Sequence, residues 1–172
     1  MAISGCSGSS LGSDEAPLAS GAIAPKQVGW IEPGQLAGID QEVDVKLDTG
    51  AKTTSINAEI LEQPENPEDA GGMITFRFED QSGQSRVYER PVLEWVRIKD
   101  GDGGFFRRPV VAMQLCIAGR WIEEEVNLAD RSQFNYSVLV GRNALEAGNL
   151  IVDSAETKTT EANCPARSEA AS

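Results

Sequence analysis

Val43-Asp44-Val45-Lys46-Leu47-Asp48-Thr49-Gly50-Ala51 is the stretch on which the fold turns. Val43, Val45 and Leu47 alternate with polar residues, the period of a half-buried strand. The strand runs into an aspartate followed by small residues, and Gly50 and Ala51 leave room for another backbone to come close. Read alone, Asp48-Thr49-Gly50 is equally an ordinary turn after a strand. The chemistry open to that aspartate is narrowed by composition, because the 172 residues include no histidine. A Ser-His-Asp triad, a Cys-His pair and a histidine-ligated zinc are all excluded, which leaves carboxylates as the leading acid and base candidates.

Three cysteines, Cys6, Cys116 and Cys164, are too few and too scattered for a four-cysteine zinc site, so neither a metal nor another cofactor is expected. With 40% apolar residues the chain can bury one ordinary core but not two large lobes. Its net charge of −12 disfavours nucleic acid and anionic membrane surfaces as partners, and permits basic or neutral peptides.

Residues 1–25 are rich in Gly, Ser, Ala and Pro without apolar periodicity and read as a flexible tether. Within it, Ile3-Ser4-Gly5-Cys6 resembles a bacterial lipobox, whose cysteine becomes the lipidated N-terminus after cleavage. The apolar segment that precedes such a motif in a precursor is not in the sequence, so the expectation is a chain starting just ahead of a processing site, with Cys6 as a lipid attachment point. That implies a bacterial cell-envelope location on the periplasmic side, anchored to the outer membrane. In an oxidising envelope Cys116 and Cys164 could bridge; the alternative is two free thiols, with Cys116 packed inside a strand.

From Lys26 onward, short alternating runs separated by Gly and Asp/Asn/Ser turns predict a mostly β domain over 26–155, followed by a tail over 156–172. Ile74, Phe76 and Phe78 share one strand face, and Asp80-Gln81-Ser82-Gly83 turns the chain towards a strand over Arg86 to Val92. A second hairpin joins Glu94–Lys99 to Phe105–Ile117, and a third turns at Ala118-Gly119 into Trp121–Leu128. One short helix is expected from Arg142-Asn143 to Ala147, ended by Gly148 as a left-handed cap, before a buried strand at Leu150-Ile151-Val152.

Some 90 residues after Asp48 comes Val138-Leu139-Val140-Gly141-Arg142-Asn143-Ala144-Leu145, an apolar strand entering a helix. This ordered pair resembles the retropepsins, homodimeric aspartic proteases in which a strand enters Asp-Thr-Gly and an apolar-apolar-Gly-Arg-Asn segment opens the C-terminal helix. A bacterial family of retropepsin-like proteins, historically labelled ATP-dependent zinc proteases, is a nearer resemblance. It is carried by Gly29-Trp30, Asp48-Thr49-Gly50-Ala51-Lys52-Thr53-Thr54-Ser55, Arg107-Arg108-Pro109-Val110-Val111, Asp130-Arg131-Ser132 and Val138–Leu145. Neither half of the old label is supported, since zinc-ligand histidines and a Gly-x-x-x-x-Gly-Lys-Ser/Thr loop are both missing.

The resemblance implies a closed, retropepsin-like β-barrel with one short C-terminal helix. It implies an endopeptidase acting on a peptide or protein substrate, in which Asp48 from each of two subunits shares one proton and activates water. Thr49 would bond across the homodimer, Gly50 and Ala51 would admit the substrate backbone, and Gly141 and Arg142 would support the loop. The final strand would pair with its twin in the dimer.

Viral enzymes carry an acid shortly after Asp-Thr-Gly-Ala that pairs with the Arg of Gly-Arg-Asn. Lys52 stands there instead, so Asp130 is the candidate partner for Arg142; Asp130-Arg131-Ser132 also reads as a solvated turn. The candidate flap is Lys99–Phe106, with Asp100, Gly101, Gly103, Gly104 and Phe105, and the turn at Asp80–Gln84 is the alternative. Trp30, Trp95 and Trp121 read as core in preference to subsite walls. The acidic loop Glu62–Asp69 suggests no role. Two other readings stay open: a non-catalytic peptide-binding lipoprotein module with the same fold, and a structural lipoprotein in which Asp48-Thr49-Gly50 is only a turn.

Overall fold

The computed structural model describes residues 24–66, 71–99 and 103–166. The chain is mostly β, in the order β1 (Lys26–Leu36), β2 (Val43–Leu47), β3 (Thr54–Glu62), β4 (Met73–Glu79), β5 (Ser85–Lys99), β6 (Phe105–Ile117), β7 (Arg120–Ala129), β8 (Val138–Val140), α1 (Arg142–Ala147) and β9 (Leu150–Thr157). Cys6 and the rest of the expected tether up to Ile23 lie outside the described residues, as do Asp100 and Gly101 of the candidate flap.

The strands form one nine-stranded sheet in the order β4-β5-β6-β7-β3-β8-β2-β1-β9, with extra pairings of β4 to β3 and β6 to β1. Those two pairings turn the sheet back on itself as a ring. The hairpins expected at Asp80–Gly83 and Ala118-Gly119 are present, and the second is a tight two-residue turn with positive φ at Ala118 (53°) and Gly119 (79°), matched to strand twist. The runs expected over Arg86–Val92 and Glu94–Lys99 are one continuous strand, β5, with a register shift between Val92 and Glu94.

Alternation decides what the ring encloses. Ile74, Phe76 and Phe78 of β4 are completely buried, while Thr75 and Arg77 face outward, and burial of each phenylalanine contributes about 2–3 kcal/mol. Phe76 stacks on Tyr88 at 5.5 Å, and the Tyr88 hydroxyl donates to the Ala37 carbonyl at 3.0 Å. Burial pushes the Tyr88 phenol up to about 12 against the opposing charges of Arg86 and Arg90. Trp95 packs against the core, and Trp30 meets Tyr136 edge to face at 6.3 Å.

Two expectations are corrected at the C-terminal end. Gly148 is not a left-handed cap: its φ is −79°, and Asn149 takes the left-handed conformation at φ 47°. A Cβ at Gly148 would stand 2.6 Å from Ile122 Cδ1, the end of a side chain that can turn aside. The segment expected as a tail from 156 also packs onto the domain. β9 runs parallel to β1 through Thr157, Lys158 N–H donates to the Ile31 carbonyl at 2.7 Å, and Ala162 is buried.

Thr159 and Thr160 close over Glu32, a fully buried residue of β1. Its Oε1 accepts from the Gly29 and Thr159 amides (2.5 and 3.0 Å) and the Thr159 hydroxyl (2.5 Å). Oε2 accepts from the Thr160 amide (2.9 Å) and hydroxyl (2.8 Å). Burial alone would raise this carboxyl, but the donors of Thr159, Gly29 and Thr160 together hold it below its ordinary value. Cys116 of β6 and Cys164 form a disulfide, with Cα atoms 5.9 Å apart, closing a separation of 48 residues.

Candidate active site

β8 is the element that builds the site. It is inserted between β2 and β3, parallel to β2 through Val45–Val138 and Leu47–Val140, and antiparallel to β3 through Ser55–Leu139 and Ile56–Val138. The three apolar residues that the sequence places before Gly141 thus bind together the strand entering Asp48 and the strand leaving its loop. The Asp48 amide extends the ladder by donating to the Val140 carbonyl at 2.9 Å.

The loop is then fixed from both sides. Asp48 Oδ1 accepts the Gly50 amide at 2.9 Å, and the Ala51 amide donates to the Asp48 carbonyl at 3.2 Å, a local turn that aims the carboxylate. Gly141 presses on the far side, where a Cβ would lie 2.6 Å from the carbonyl carbon and oxygen of Thr53. That approach lets Gly141 N–H donate to the buried Thr54 hydroxyl (3.2 Å), Arg142 N–H to the Ala51 carbonyl (2.9 Å) and Asn143 N–H to the Lys52 carbonyl (3.1 Å). Asn127 of β7 adds a bond from Nδ2 to the Thr54 carbonyl at 2.6 Å.

Arg142 does not pair with Asp130. Its side chain is exposed, and Nη1 donates to the carbonyls of Thr49 (2.9 Å) and Gly50 (3.1 Å). A solvated guanidinium that finds two carbonyl acceptors needs no carboxylate, which is why Arg142 does without Asp130. Asp130 closes its own turn by accepting the Ser132 amide at 2.9 Å, and bonds from Ser132 hold its carboxyl below the ordinary range.

The buried arginine of that segment is its neighbour. Arg131 is 8% exposed, donates from Nε to the Tyr136 carbonyl at 3.1 Å and lies over the Phe134 ring at 4.7 Å. Burial, then repulsion from Arg108, disfavours its charge, while attraction to Asp48 works the other way. Arg131 is the site residue that reading Asp130-Arg131-Ser132 as a partner for Arg142 overlooked. Lys46 adds a second cation, with Nζ 3.7 Å from Asp48 Oδ2.

The candidate flap is the β5–β6 hairpin, in which Lys99 pairs with Phe105. Gly103 turns with φ 88°, and Phe105 is half exposed beneath the Arg97 guanidinium at 4.4 Å. Further down, Arg108 lies over Phe106 at 4.8 Å and is near enough to Arg131 for their charges to repel. The alternative turn at Asp80–Gln84 is stiffened by Asp80 Oδ1, which accepts from the Ser82 and Gln84 amides at 2.9 and 2.8 Å. Among the described residues, no group of three or more His, Cys, Asp or Glu side chains is arranged to hold a metal ion.

A strand-borne Asp-Thr-Gly loop locked by a Gly-Arg-Asn helix start defines the retropepsin-like class. The chain belongs to the RimB-like family of retropepsin-like aspartic endopeptidases, whose family model matches residues 27–163. Comparison with curated proteins gave no match. Among solved structures, the chain is similar to a Legionella pneumophila protein of unknown function, with 28% identity and a TM-score of 0.66, over 80% of this chain and the whole of that one.

Proposed function

We propose that this chain is an aspartic endopeptidase that assembles its catalytic pair from two copies, with Asp48 of each subunit contributing one carboxylate. The observation that carries the reading is a single aspartate on an immobilised loop, flanked by exposed Thr49 and Gly50 and backed by Gly141 and Arg142. Two carboxylates brought into contact cannot both ionise, so the pair holds one proton. The ionised member takes a proton from water as the water oxygen bonds to the peptide carbonyl carbon, and the protonated member donates to the developing oxyanion. Collapse of the diol breaks the C–N bond, with a proton passing to the leaving amine.

The exposed Thr49 is placed to bond across the pair. β9 ends the strand order and presents an outer edge with no strand partner among the described residues, which supports strand addition by a second copy. The β4–β3 and β6–β1 pairings support a closed barrel. The β5–β6 hairpin acts as the flap. Lys46, Arg131 and Arg108 gather on the Asp48 side, which favours acidic side chains in the bound peptide over the basic or neutral ones that net charge permits. Membership of the family supports a peptide substrate. The Cys116–Cys164 bridge supports an oxidising compartment, and with Cys6 as the lipid anchor the domain would work from the periplasmic face of the envelope, tethered by residues 1–25.

The test is cleavage of a peptide library by the wild type and by Asp48→Asn across a range of protein concentrations. The wild type is expected to cleave with a rate per chain that rises as dimers form, and the variant to lose cleavage with its fold intact. Binding without cleavage by the wild type, or equal cleavage by both, would replace this reading with that of a non-catalytic peptide-binding module.

A further inference from the structure

Residues 158–164 run as a strap from the end of β9, which lies against β1, to the disulfide on β6, and Ala162 is the one side chain among them that is buried. So little apolar contact cannot hold a segment in place through burial. Its backbone is also under constraint, since Lys158 and Asn163 take positive φ, 52° and 39°, which residues other than glycine adopt only where their surroundings impose it. Polar contacts and one covalent bond supply the hold. Lys158 N–H donates to the Ile31 carbonyl at 2.7 Å, and Lys158 Nζ meets Asp44 Oδ2 at 2.9 Å in an exposed pair of the weak kind. Thr159 and Thr160 grip the buried Glu32, and beyond Ala162 comes the Cys164 bridge to Cys116.

What the strap grips leads directly to Asp48. Ile31 and Glu32 of β1 pair with Lys46 and Val45 of β2, and Asp44 belongs to β2 itself, so the strap braces the two-stranded ladder just ahead of the catalytic loop. We propose that the Cys116–Cys164 bridge is a redox latch on the endopeptidase: closed, it keeps the strap on β1 and β2 and the strand entering Asp48 fixed, and opened by a dithiol it releases both. Its effect on cleavage rests on the reading of Asp48 as a catalytic carboxylate. Cys164 is half-buried and Cys116 fully buried, so the incoming thiolate attacks the Cys164 sulfur. The S–S bond breaks, Cys116 leaves as a thiolate and takes up a proton, and the second thiol of the reductant displaces Cys164 as a thiol. The protein thereby gains two electrons and two protons, and the dithiol becomes a disulfide. Without the bridge the strap is free to relax its positive φ angles and withdraw its donors from Glu32. A chain still in a reducing compartment would be inert, and oxidation in the envelope would complete its site.

Hydrogen exchange and peptide cleavage by the full chain, oxidised and after dithiothreitol, test this, with Cys6→Ser throughout so that the bridge is the one redox centre. On reduction the Thr159 and Thr160 amides are expected to exchange about tenfold faster or more, and the Asp48 amide, bonded to the Val140 carbonyl, to exchange faster by a smaller factor, while β4 and β5 keep their protection. Cleavage is expected to fall by about tenfold or more and to return on reoxidation. Cys164→Ser under oxidising conditions is expected to match the reduced protein. Equal protection of the strap in both states, a strap that opens while the Asp48 amide is unchanged, or a uniform loss of protection that makes the bridge a requirement of the whole fold would each overturn the latch. Cleavage in neither state would remove the endopeptidase reading, and the Asp48 amide would then decide the latch by itself.

Discussion

Replacing Glu32 by Gln isolates the lock that ties the C-terminal segment to β1. Gln keeps the shape of the side chain but turns one acceptor oxygen into an NH2 group. If that group takes the place of Oε2, the Thr160 hydroxyl can rotate to accept from it, but the Thr160 amide cannot and is left facing a donor. The opposite orientation is worse, stranding the amides of both Gly29 and Thr159. One unsatisfied buried N–H costs about 1–3 kcal/mol, and the remaining bonds weaken as they lose their charge assistance, so the expected loss is about 2–4 kcal/mol. Domains of this size have only about 5–15 kcal/mol in total.

The pH dependence has a definite sign. The folded carboxyl lies below its ordinary value, so the unfolded chain binds its proton first as pH falls. The contribution is complete well above the ordinary carboxyl value and disappears as pH drops through the lower folded one. Urea unfolding of the wild type and Glu32→Gln should therefore show the full difference at pH 7 and a smaller one in acid, and hydrogen exchange at Thr159 and Thr160 should accelerate in the variant. A difference under about 0.5 kcal/mol at pH 7, the range of neutral surface changes, or one of equal size in acid, would refute the account of Glu32.

Cys164→Ser should cost about 4 kcal/mol through the loop entropy of a 48-residue separation, read by denaturant unfolding; a reductant should destabilise the wild type similarly and leave the variant unchanged. Gly141→Ala forces a Cβ against Thr53 backbone that cannot retreat, and should lower stability by about 1–3 kcal/mol in thermal unfolding while abolishing cleavage. Arg142→Ala leaves an exposed position, so stability should hold while cleavage falls by about tenfold or more from loss of the grip on Thr49 and Gly50; unchanged kcat would show that the grip is idle.

Strands whose side chains alternate between one buried and one wet face were legible in the sequence. β4, β6, β7 and the short helix fall where periodicity and turn residues put them, while the contact of the Asp48 loop with the Val140–Arg142 segment was implied only by the resemblance to retropepsins. What escaped has physical reasons. β1 carries a buried glutamate, and in sequence Glu32 reads as a break in an apolar pattern, because its partners Thr159 and Thr160 are about 127 residues away and nothing local announces them. Gly148 invites the left-handed position because it is the glycine at the helix end, but the chain puts that conformation one residue later, on Asn149. Arg142 and Arg131 exchanged roles for a similar reason: burial of an arginine depends on what packs around it, and Tyr136 and Phe134, which cover Arg131, follow it within five residues but carry no signal of their own.

Net charge is where global composition misleads about the site. At −12 the chain looks hostile to acidic peptides, yet charges on an exposed surface are screened over about 8 Å at physiological salt. The field at Asp48 is therefore set by its neighbours. Lys46 stands 3.7 Å away, and Arg131 is buried, where screening by salt is weak and its charge reaches both Asp48 and Arg108. A burial that disfavours the Arg131 charge is tolerable because Asp48 offsets part of it, and the same arrangement makes Asp48 part of the structural support of Arg131. Substitution of Asp48 by Asn thus removes a counter-charge as well as the proposed catalytic group. Its effect on stability must be measured beside its effect on cleavage, and Arg131→Gln in the Asp48→Asn background separates the two: if the counter-charge matters, the second change restores part of the stability that the first removes.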